Sequence, residues 1–397
     1  MPILSDRVYR ALFAAQIVSL LGTGLATVAL GLLAYDLTGA GAGAVLGGLL
    51  AIKMLANIVV APVAATFTAR MDRRVLLVSL DAVRAAVVCV LPWVDAVWQV
   101  VALVAVLQVA SAAFTPTFQA VIPAVLADQR DYTRALSLSR LAYDLEALVS
   151  PVLAAALLTV VGFSWLFVGT AIGFAASAVL VLTTRLPKPA PVPRRLTAGL
   201  RAYIRAPSLR AQLGLNLAAA AGGALVLVDT VVIVHGLGRS SADVAIALAV
   251  FGLGSMATAL ALPRLLDHEP PRRMMLAAAG TLPVLLLAAP ILITAWPTLL
   301  LLWLLIGAMY SAVLTPVGRL IRDTDGDLPA LFAAQFALSH TGWLVTYLLV
   351  AALPPTTAAL VLACVAGLGV RFGSHAWRLP LRSHPETLRA RQAIDLV

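Results

Sequence analysis

The sequence contains few cysteines and few charged residues. Only two of its 397 residues are cysteine, and Asp, Glu, Lys and Arg together make up 12%. A soluble domain usually has about a quarter of its residues charged, so this composition excludes an ordinary soluble protein. Cys89 and Cys364 lie inside apolar runs and indicate neither a disulfide nor a metal site. The glycine pairs are not followed by the Lys-Ser or Lys-Thr of a phosphate loop, which argues against ATP hydrolysis.

Long runs of apolar residues make up most of the sequence. The chain is 61% hydrophobic, with a mean hydropathy of +0.99. The runs are about 20 residues long, enough for a helix to cross a hydrocarbon core of about 30 Å. This pattern predicts an all-α membrane protein with twelve transmembrane helices in two pseudo-symmetric six-helix bundles. The predicted spans cover residues 11–35, 42–69, 75–94, 97–127, 134–161, 164–186, 209–235, 242–266, 274–295, 298–321, 328–353 and 356–377.

The two halves of the chain repeat a short motif. Ser111–Pro116 reads SAAFTP, and Ser311–Pro316 reads SAVLTP at an offset of 200 residues. Such an internal repeat in a membrane chain is typical of secondary transporters built from two related bundles. We therefore expect an N-terminal bundle at 1–186 and a C-terminal bundle with a short cytoplasmic tail at 209–397. The proline-rich basic stretch between them, 187–208, is expected to be an extended cytoplasmic linker.

Basic residues are concentrated on one side of the predicted membrane. The loops after even-numbered spans contain Arg73, Arg130, Arg195 and Arg272 among others, whereas the loops after odd-numbered spans contain only Arg239. Because cytoplasmic loops are enriched in Lys and Arg, both termini are expected in the cytoplasm. The net charge of +10 is therefore interpreted as a topology signal, and no nucleic-acid partner is expected.

Four segments of the first half carry a family resemblance: Ala34–Gly39, Arg70–Arg74, Asp81–Arg84 and Phe114–Pro123. In these the chain resembles the major facilitator superfamily, in particular the branch of enterobactin exporters and related efflux permeases. It is also similar to the nickel-resistance permeases of that superfamily. The resemblance implies secondary active transport by alternating access, without enzymatic activity or a cofactor. It also implies a multi-pass monomer in the cell (inner) membrane that exports a small molecule in exchange for protons.

The family's loop motif between the second and third spans is altered in this chain. Its glycine and its acidic residue correspond to Ala65 and Ala69. In the family that acid helps to latch the two halves together on the cytoplasmic side. Asp72 is the residue that can replace it. The basic residues of the motif, also expected at this gate, are Arg70, Arg73 and Arg74.

Charged residues inside the predicted spans are expensive, so each is a candidate functional residue. In the first half, three acids face three bases, and such a set can pair internally. One hypothesis is a structural ion-pair network near the cytoplasmic gate, formed by Asp81, Arg84, Arg140 and Asp144. The other is that Asp144 or Glu146 loses and regains a proton during transport. The six residues are Lys53, Asp81, Arg84, Arg140, Asp144 and Glu146.

Further polar residues and prolines complete the candidate set. Lys53 and Asn57 are four residues apart and share a helix face, so they can contact an acid or the substrate. Asp229, near the outer end of the seventh span, is a candidate for an outer gate. His340 is interpreted as a packing histidine or, less simply, as a proton relay. Helix bends are expected at Pro116, Pro151 and Pro316.

The substrate class is left open by the sequence. An aromatic cavity suits a drug-like or siderophore-like organic molecule, whereas a divalent metal such as nickel needs converging ligands. The tail offers only His375 and His384 in place of the His-rich tail of nickel permeases, which argues against metal. A lipid scramblase and a non-transporting membrane sensor remain as alternatives. The aromatic candidates are Tyr9, Tyr35, Phe114, Phe118, Trp303, Tyr310 and Trp343.

Overall fold

The structure, a computed structural model, describes residues 2–38, 42–67, 71–187 and 197–378. These residues form twelve long helices, two short helices and two 3-10 turns, and they contain no strand. The 3-10 turns are Pro2–Ser5 and Leu91–Trp93. The helices of the first half are α1 (Arg7–Thr38), α2 (Ala42–Phe67), α3 (Arg73–Val90), α4 (Val97–Val125), α5 (Gln129–Leu158) and α6 (Ser164–Leu182). Those of the second half are α7 (Ala198–Arg205), α8 (Pro207–Gly236), α9 (Ser241–His268), α10 (Pro271–Leu292), α11 (Trp296–Leu314), α12 (Val317–Arg322), α13 (Leu328–Ala351) and α14 (Pro355–Ala376).

Ten segments of the described chain are long and apolar enough to cross a membrane. The other two long helices are α2, in which the apolar stretch Ala51–Thr66 is shorter, and α13. Lys53 and Asn57 lie in α2, and Gln335 and His340 lie in α13. Polar and charged residues in mid-helix also occur in α3 and α5. Such residues are expected where a helix faces a polar interior rather than lipid.

Short polar residues set several helix starts. Asp72 caps α3 by accepting from the backbone N–H groups of Arg74 at 2.8 Å and Val75 at 3.3 Å. Asp128 caps α5 in the same way. Ser240 and Asp243 form a capping box at the start of α9. Such caps satisfy N–H groups that have no partner inside the helix, and they fix the loops that join the spans.

The helices pack as two bundles related by the internal repeat. In the first, α1 packs against α5 and α6, and α3 packs against α4 and α6. In the second, α8 packs against α14, and α9 against α11. The bundles meet along α2–α13 and along α5–α9. The offset of 200 residues relates α2 to α9 and α5 to α13, so these two contacts are equivalent under the repeat. The interface between the bundles therefore follows the same two-fold repeat as the sequence.

The tenth predicted span differs from the structure. We expected one bent helix over 298–321, but α11 ends at Leu314 and α12 begins at Val317. Pro316 has no N–H to continue the ladder, and it occupies the N-cap position of α12. Its counterpart Pro116 lies inside the continuous helix α4. There the hydroxyl of Thr115 donates to the carbonyl of Ser111 at 3.2 Å. Helix α5 also runs through position 151, and bends at Pro116 and Pro151 stay predictions.

The predicted linker is partly helical. Residues 188–196 lie outside the described residues, but α7 follows them within the stretch that we expected to be extended. Tyr203 of α7 is fully buried, and its hydroxyl donates to Gln335 of α13. Burial raises the pKa of the Tyr203 hydroxyl, so the group stays a proton donor. Since α7 packs on α13, we propose that the second bundle begins at α7 rather than at residue 209.

Candidate functional site

Two cavities lie beside the contact between the bundles, and a third, of about 700 Å³, lies between the start of α5 and the end of α9. The first has a volume of about 280 Å³ and is lined mainly by α1, α2 and α4, with Phe336 and His340 of α13. The second has a volume of about 240 Å³ and is lined by α4, α5 and α12, with Asn216 of α8 and part of α13. The volumes of the first and second cavities approach those of small-molecule sites, which start near 300 Å³.

Four side chains line both cavities and form a partition between them: Gln16, Phe118, Tyr143 and Phe336. Gln16 of α1 accepts a hydrogen bond from Ser139 of α5 at 3.0 Å and is also hydrogen-bonded to Tyr143. The partition therefore contains residues of both bundles, with Phe336 contributed by α13. A small movement of these side chains would join the two spaces.

The cavities lie toward opposite ends of the helices. The second cavity includes Tyr132, three residues into α5, and Ile321, next to the last residue of α12. Both belong to the arginine-rich loop face. The first cavity reaches Thr27 and Leu30 of α1 and Val104 of α4, which lie toward the other face. The partition therefore separates a space on the loop side from a space on the opposite side.

An ion pair on α5 crosses the interface between the bundles. Arg140 pairs with Asp144, which is 5% exposed, one turn further along the helix. The Nε of Arg140 donates to the hydroxyl of Ser255 on α9 at 3.0 Å. Its guanidinium also lies over the ring of Tyr310 on α11, 4.6 Å from the centroid. Both residues of the pair thus belong to the first bundle, and Arg140 also contacts two residues of the second bundle.

A second ion pair is buried inside the first bundle. Arg84 pairs with Asp81 of the same helix, and Asp81 also accepts from Ser177 of α6 at 2.8 Å. The Arg84 guanidinium lies over Phe114 at 4.0 Å and Phe174 at 4.4 Å. Among the described residues no hydrogen bond or ion pair joins this pair to Arg140 and Asp144. Tyr143 lies between them and interacts electrostatically with both arginines. The four residues therefore form two pairs rather than one network.

Lys53 of α2 and Glu146 of α5 attract each other without forming an ion pair. They interact electrostatically, and no carboxylate lies within 4 Å of the Lys53 ammonium in the described chain. Lys53 and Asn57 both line the first cavity. Glu146 lies against α1, where a Cβ placed on Gly24 would be 2.7 Å from its carboxylate. Lys53 is therefore attracted by an acid, as predicted, but does not contact it. The Lys53 side chain lines the first cavity.

The remaining predicted residues differ in whether they reach a cavity. His340 lines the first cavity, and its Nδ1 lies 2.7 Å from the carbonyl of Phe336. Asp229 is buried in α8, lines neither cavity, and has one carboxylate oxygen without a partner among the described residues. Of the aromatic candidates, Phe114, Phe118 and Trp343 line a cavity, Tyr9 and Trp303 are buried in the packing, and Tyr35 is exposed.

The two halves are also joined at the loop face, through contacts that we call the loop-face bridge. Arg322 of α12 donates to the backbone carbonyls of Ala127 and Asp128. With its amide oxygen turned toward Arg319, Gln129 accepts from that guanidinium at 2.8 Å. A third contact pairs Arg130 with Asp267 at 3.4 Å. Gln129, Arg130, Asp267 and Arg319 of the bridge line the third cavity.

The gate residues expected before α3 are described in part, and their role at a gate stays a prediction. Asp72 uses its carboxylate to cap α3, next to Arg73 and Arg74 at the helix start, and Arg70 lies outside the described residues. The loop-face bridge was missed by the sequence reasoning, as were Gln16, Tyr143 and Ser255. Gln16 and Ser255 do have a signal, since each is a polar residue in an apolar run. Their partners come from other helices, which no local spacing indicates.

The sequence model of the Major Facilitator Superfamily matches residues 12–323 of the chain. The chain belongs to the Major Facilitator Superfamily. Membership agrees with the two-bundle packing and confirms the predicted all-α membrane fold. It also indicates a multi-pass membrane transporter rather than an enzyme. No curated protein is significantly similar to this superfamily member in sequence.

Solved structures of other transporters share the fold. The human organic anion transporter MFSD10 (TETRAN) is 15% identical, with a TM-score of 0.75 over 92% of this chain and 99% of that chain. A bacterial homologue of the iron transporter ferroportin, in an outward-facing state, is 13% identical, with a TM-score of 0.75 over 93% and 98%. The E. coli fucose:proton symporter FucP is 11% identical, with a TM-score of 0.71 over 93% and 98%. At these identities the likeness shows the superfamily fold alone.

Proposed function

We propose that this chain is a secondary active transporter that moves a small organic molecule by alternating access and exports it in exchange for protons. The observation that carries this proposal is the pair of cavities on opposite sides of one partition. A substrate bound at the partition is reached from one face or the other as the bundles rock. We place the protein as a monomer in the cell membrane, with both termini in the cytoplasm.

The interface supports a rocking mechanism. Arg140 and Asp144 belong to the first bundle, while Ser255 and Tyr310 belong to the second. If the bundles rotate, α5 slides on α9, and the pair loses these partners. The free energy of protonating Asp144 then changes, because Arg140 is repositioned and a nearby positive charge favours the charged form of a carboxylate. This links a bundle movement to the uptake or release of a proton, as a proton-coupled transporter requires.

Glu146 is the second candidate proton carrier. Its attraction to Lys53 acts across α2 and α5. Because Lys53 also lines the first cavity, a substrate that contacts the ammonium changes the field at Glu146. In this proposal the protonation of Asp144 depends on the contact between the bundles. The protonation of Glu146 depends on whether the first cavity is occupied.

The three structural neighbours carry different cargoes by name, so the fold does not fix the substrate. Among the described residues no group of three or more His, Cys, Asp and Glu side chains is placed to hold a metal ion. The first and second cavities instead present aromatic, amide and hydroxyl groups. These suit an organic molecule with a substantial apolar part, which we propose as the substrate class.

Proton movement in liposomes tests this function. Purified protein is reconstituted around an internal pH dye, and an imposed gradient is combined in turn with an organic anion, an organic cation, a hydroxamate siderophore and Ni²⁺. We expect one organic class to trigger proton flux. Asp144→Asn or Glu146→Gln should reduce this flux at least about tenfold, because the neutral side chain cannot release a proton.

The matched control is Asp95→Asn, which neutralises an acid in the loop before α4, away from both cavities. It should leave the flux unchanged. If Asp144→Asn and Glu146→Gln both transport with the same pH dependence as the parent, proton coupling through these residues is wrong. Movement of fluorescent lipid without any gradient would instead point to scrambling.

A further inference from the structure

The charged side chains that line the first and second cavities all have the same sign. The first cavity contains Lys53 and Arg84, with the imidazole of His340 nearby. The second contains Arg140. No described Asp or Glu side chain lines either cavity. The acids that pair with or attract these cations, Asp81, Asp144 and Glu146, line neither cavity.

From this arrangement we infer that the substrate is an organic anion with a single acidic group and an aromatic or aliphatic body. Its acidic group binds beside Lys53 and Arg84 in the first cavity. This inference rests on the proposed transport function and specifies its substrate class.

Arg84 has hydrogen-bonding capacity left for such a ligand. The side chain is 4% exposed, and its pairing with Asp81 uses one terminal nitrogen. The Nε of Arg84 is buried without a partner among the described residues. An unsatisfied buried donor is costly, and a donor on a charged group more so. An acceptor that enters the cavity would remove this cost, and a carboxylate does so best because the bond is charge-assisted.

Lys53 provides the second positive charge. Its ammonium is attracted by Glu146 but forms no ion pair within 4 Å in the described chain. It also interacts electrostatically with His340 across the first cavity. Asn57, one turn further along α2, adds an amide beside it. An acidic ligand therefore meets an ammonium whose existing partner does not hold it by direct contact.

The remaining walls of the first cavity suit an apolar body. Phe114 and Phe174 hold the Arg84 guanidinium between their rings, and Phe118 and Phe336 close the cavity at the partition. Aromatic side chains contribute large apolar area to a binding site. A ligand with one acidic end and a ring system would place the acid by Lys53 and Arg84 and the rings among the phenylalanines.

An organic cation fits this cavity poorly. It would approach two positive side chains without meeting a described carboxylate in the lining, and like charges in a partly desolvated site repel strongly. A neutral ligand with a hydroxyl group can accept from Arg84 but leaves the Lys53 charge uncompensated. The charge of the lining therefore discriminates between ligands of the same shape.

Three ligands that share a naphthalene ring and carry a negative, neutral or positive substituent test the inference: 2-naphthoate, 2-naphthylmethanol and 2-naphthylmethylammonium. Binding to the full chain in nanodiscs is measured by calorimetry at constant salt. We expect 2-naphthoate to bind at least about tenfold more tightly than the other two, as expected for a charge-assisted hydrogen bond. Lys53→Met should reduce naphthoate affinity about tenfold, and Lys53→Arg should retain most of it. The double variant Arg84→Met, Asp81→Asn removes the other cation together with its partner acid, so that no buried charge is left alone.

Arg239→Met is the matched control, because it removes a positive charge from a loop and not from a cavity. It should leave naphthoate affinity unchanged. The inference is overturned if the ammonium ligand binds as tightly as naphthoate, if none of the three binds at millimolar concentration, or if Lys53→Met and the double variant both bind like the parent. Proton flux triggered by 2-naphthylmethylammonium would refute an anionic substrate but support the transport function. Naphthoate binding without any proton flux would support an anionic ligand but contradict proton-coupled transport.

Discussion

At the scale of single residues, Asp128 is a titratable group with a defined task at the loop face. Its carboxylate accepts from the backbone N–H groups of Asp131 at 3.0 Å and Arg130 at 2.8 Å. These hydrogen bonds lower the pKa of Asp128 below its ordinary value of 3.8. A depressed pKa stabilises the folded state above the ordinary value, and this contribution is lost as pH falls through the lower folded value.

We therefore expect Asp128→Ala to lower the melting temperature in detergent near pH 7, with a smaller difference from the parent at about pH 3. Asp128→Asn should lose less than Asp128→Ala, since asparagine also caps helices well. Because the site is exposed, salt should reduce the charge-dependent part. Melting curves at two pH values and two salt concentrations measure this. An effect that grows as pH falls would contradict the assigned direction.

Single residues also show what the sequence could predict about the site. Lys53, Asn57, Arg84 and His340 were selected because a polar group inside an apolar span is costly, and all four line the first cavity. The same cost does not say which helix supplies the partner. Ser255 lies 115 residues from Arg140, and their contact exists only because α5 packs on α9. Chain spacing contains no information about such a contact.

At the scale of helices, glycine determines how closely α1 and α6 approach. A Cβ placed on Gly173 of α6 would lie 2.7 Å from the carbonyl of Val18 and 3.3 Å from the Cα of Gly22, both on α1. The hydroxyl of Thr170 also donates to the carbonyl of Gly22 at 2.9 Å. These are backbone atoms, which cannot move aside as the end of a side chain can. Small residues thus allow the close contact.

Gly173→Ala should therefore destabilise the first bundle by roughly 1–3 kcal/mol, the usual cost of overpacking. The matched control is Gly31→Ala on α1, where an added Cβ meets nothing within 4 Å. That variant should be neutral or slightly stabilising, because alanine favours helix more than glycine. Melting temperatures of the two variants in the same detergent provide the comparison. Equal losses, or none for Gly173→Ala, would refute the close packing of α1 on α6.

The spans were predictable because a run of apolar residues long enough to cross a bilayer has few other uses. The ends of the helices and the breaks within them were harder to predict. The helix break at Thr315 and Pro316 is not repeated at Thr115 and Pro116, although the local sequences are alike. Helix α7 was missed because a short amphipathic segment depends on the surface of α13 that covers Tyr203. In both cases, tertiary packing decided between local alternatives that the sequence permits.

At the scale of the whole molecule, the loop-face bridge and the partition act at different depths of one interface. The bridge joins α12 and α9 to the start of α5 and the loop before it. The partition lies further in, between the two cavities. If the bundles rock as rigid bodies, the opposite face must close when the loop face opens. Access to the two cavities should then change in opposite directions.

Weakening the bridge tests this coupling. In a background with Cys89→Ala and Cys364→Ala, Ser139→Cys reports on the second cavity and Gln108→Cys on the first. Arg319→Ala with Arg322→Ala should weaken closure of the loop face by about 1 kcal/mol, roughly fivefold, as for exposed charged contacts. Maleimide should then react faster with Ser139→Cys and slower with Gln108→Cys. The control Arg239→Ala removes an exposed arginine whose partner, Asp243, lies within the same half, so neither rate should change. Faster reaction at both reporters would mean that the protein has loosened rather than rocked, and would reject the rigid-body mechanism.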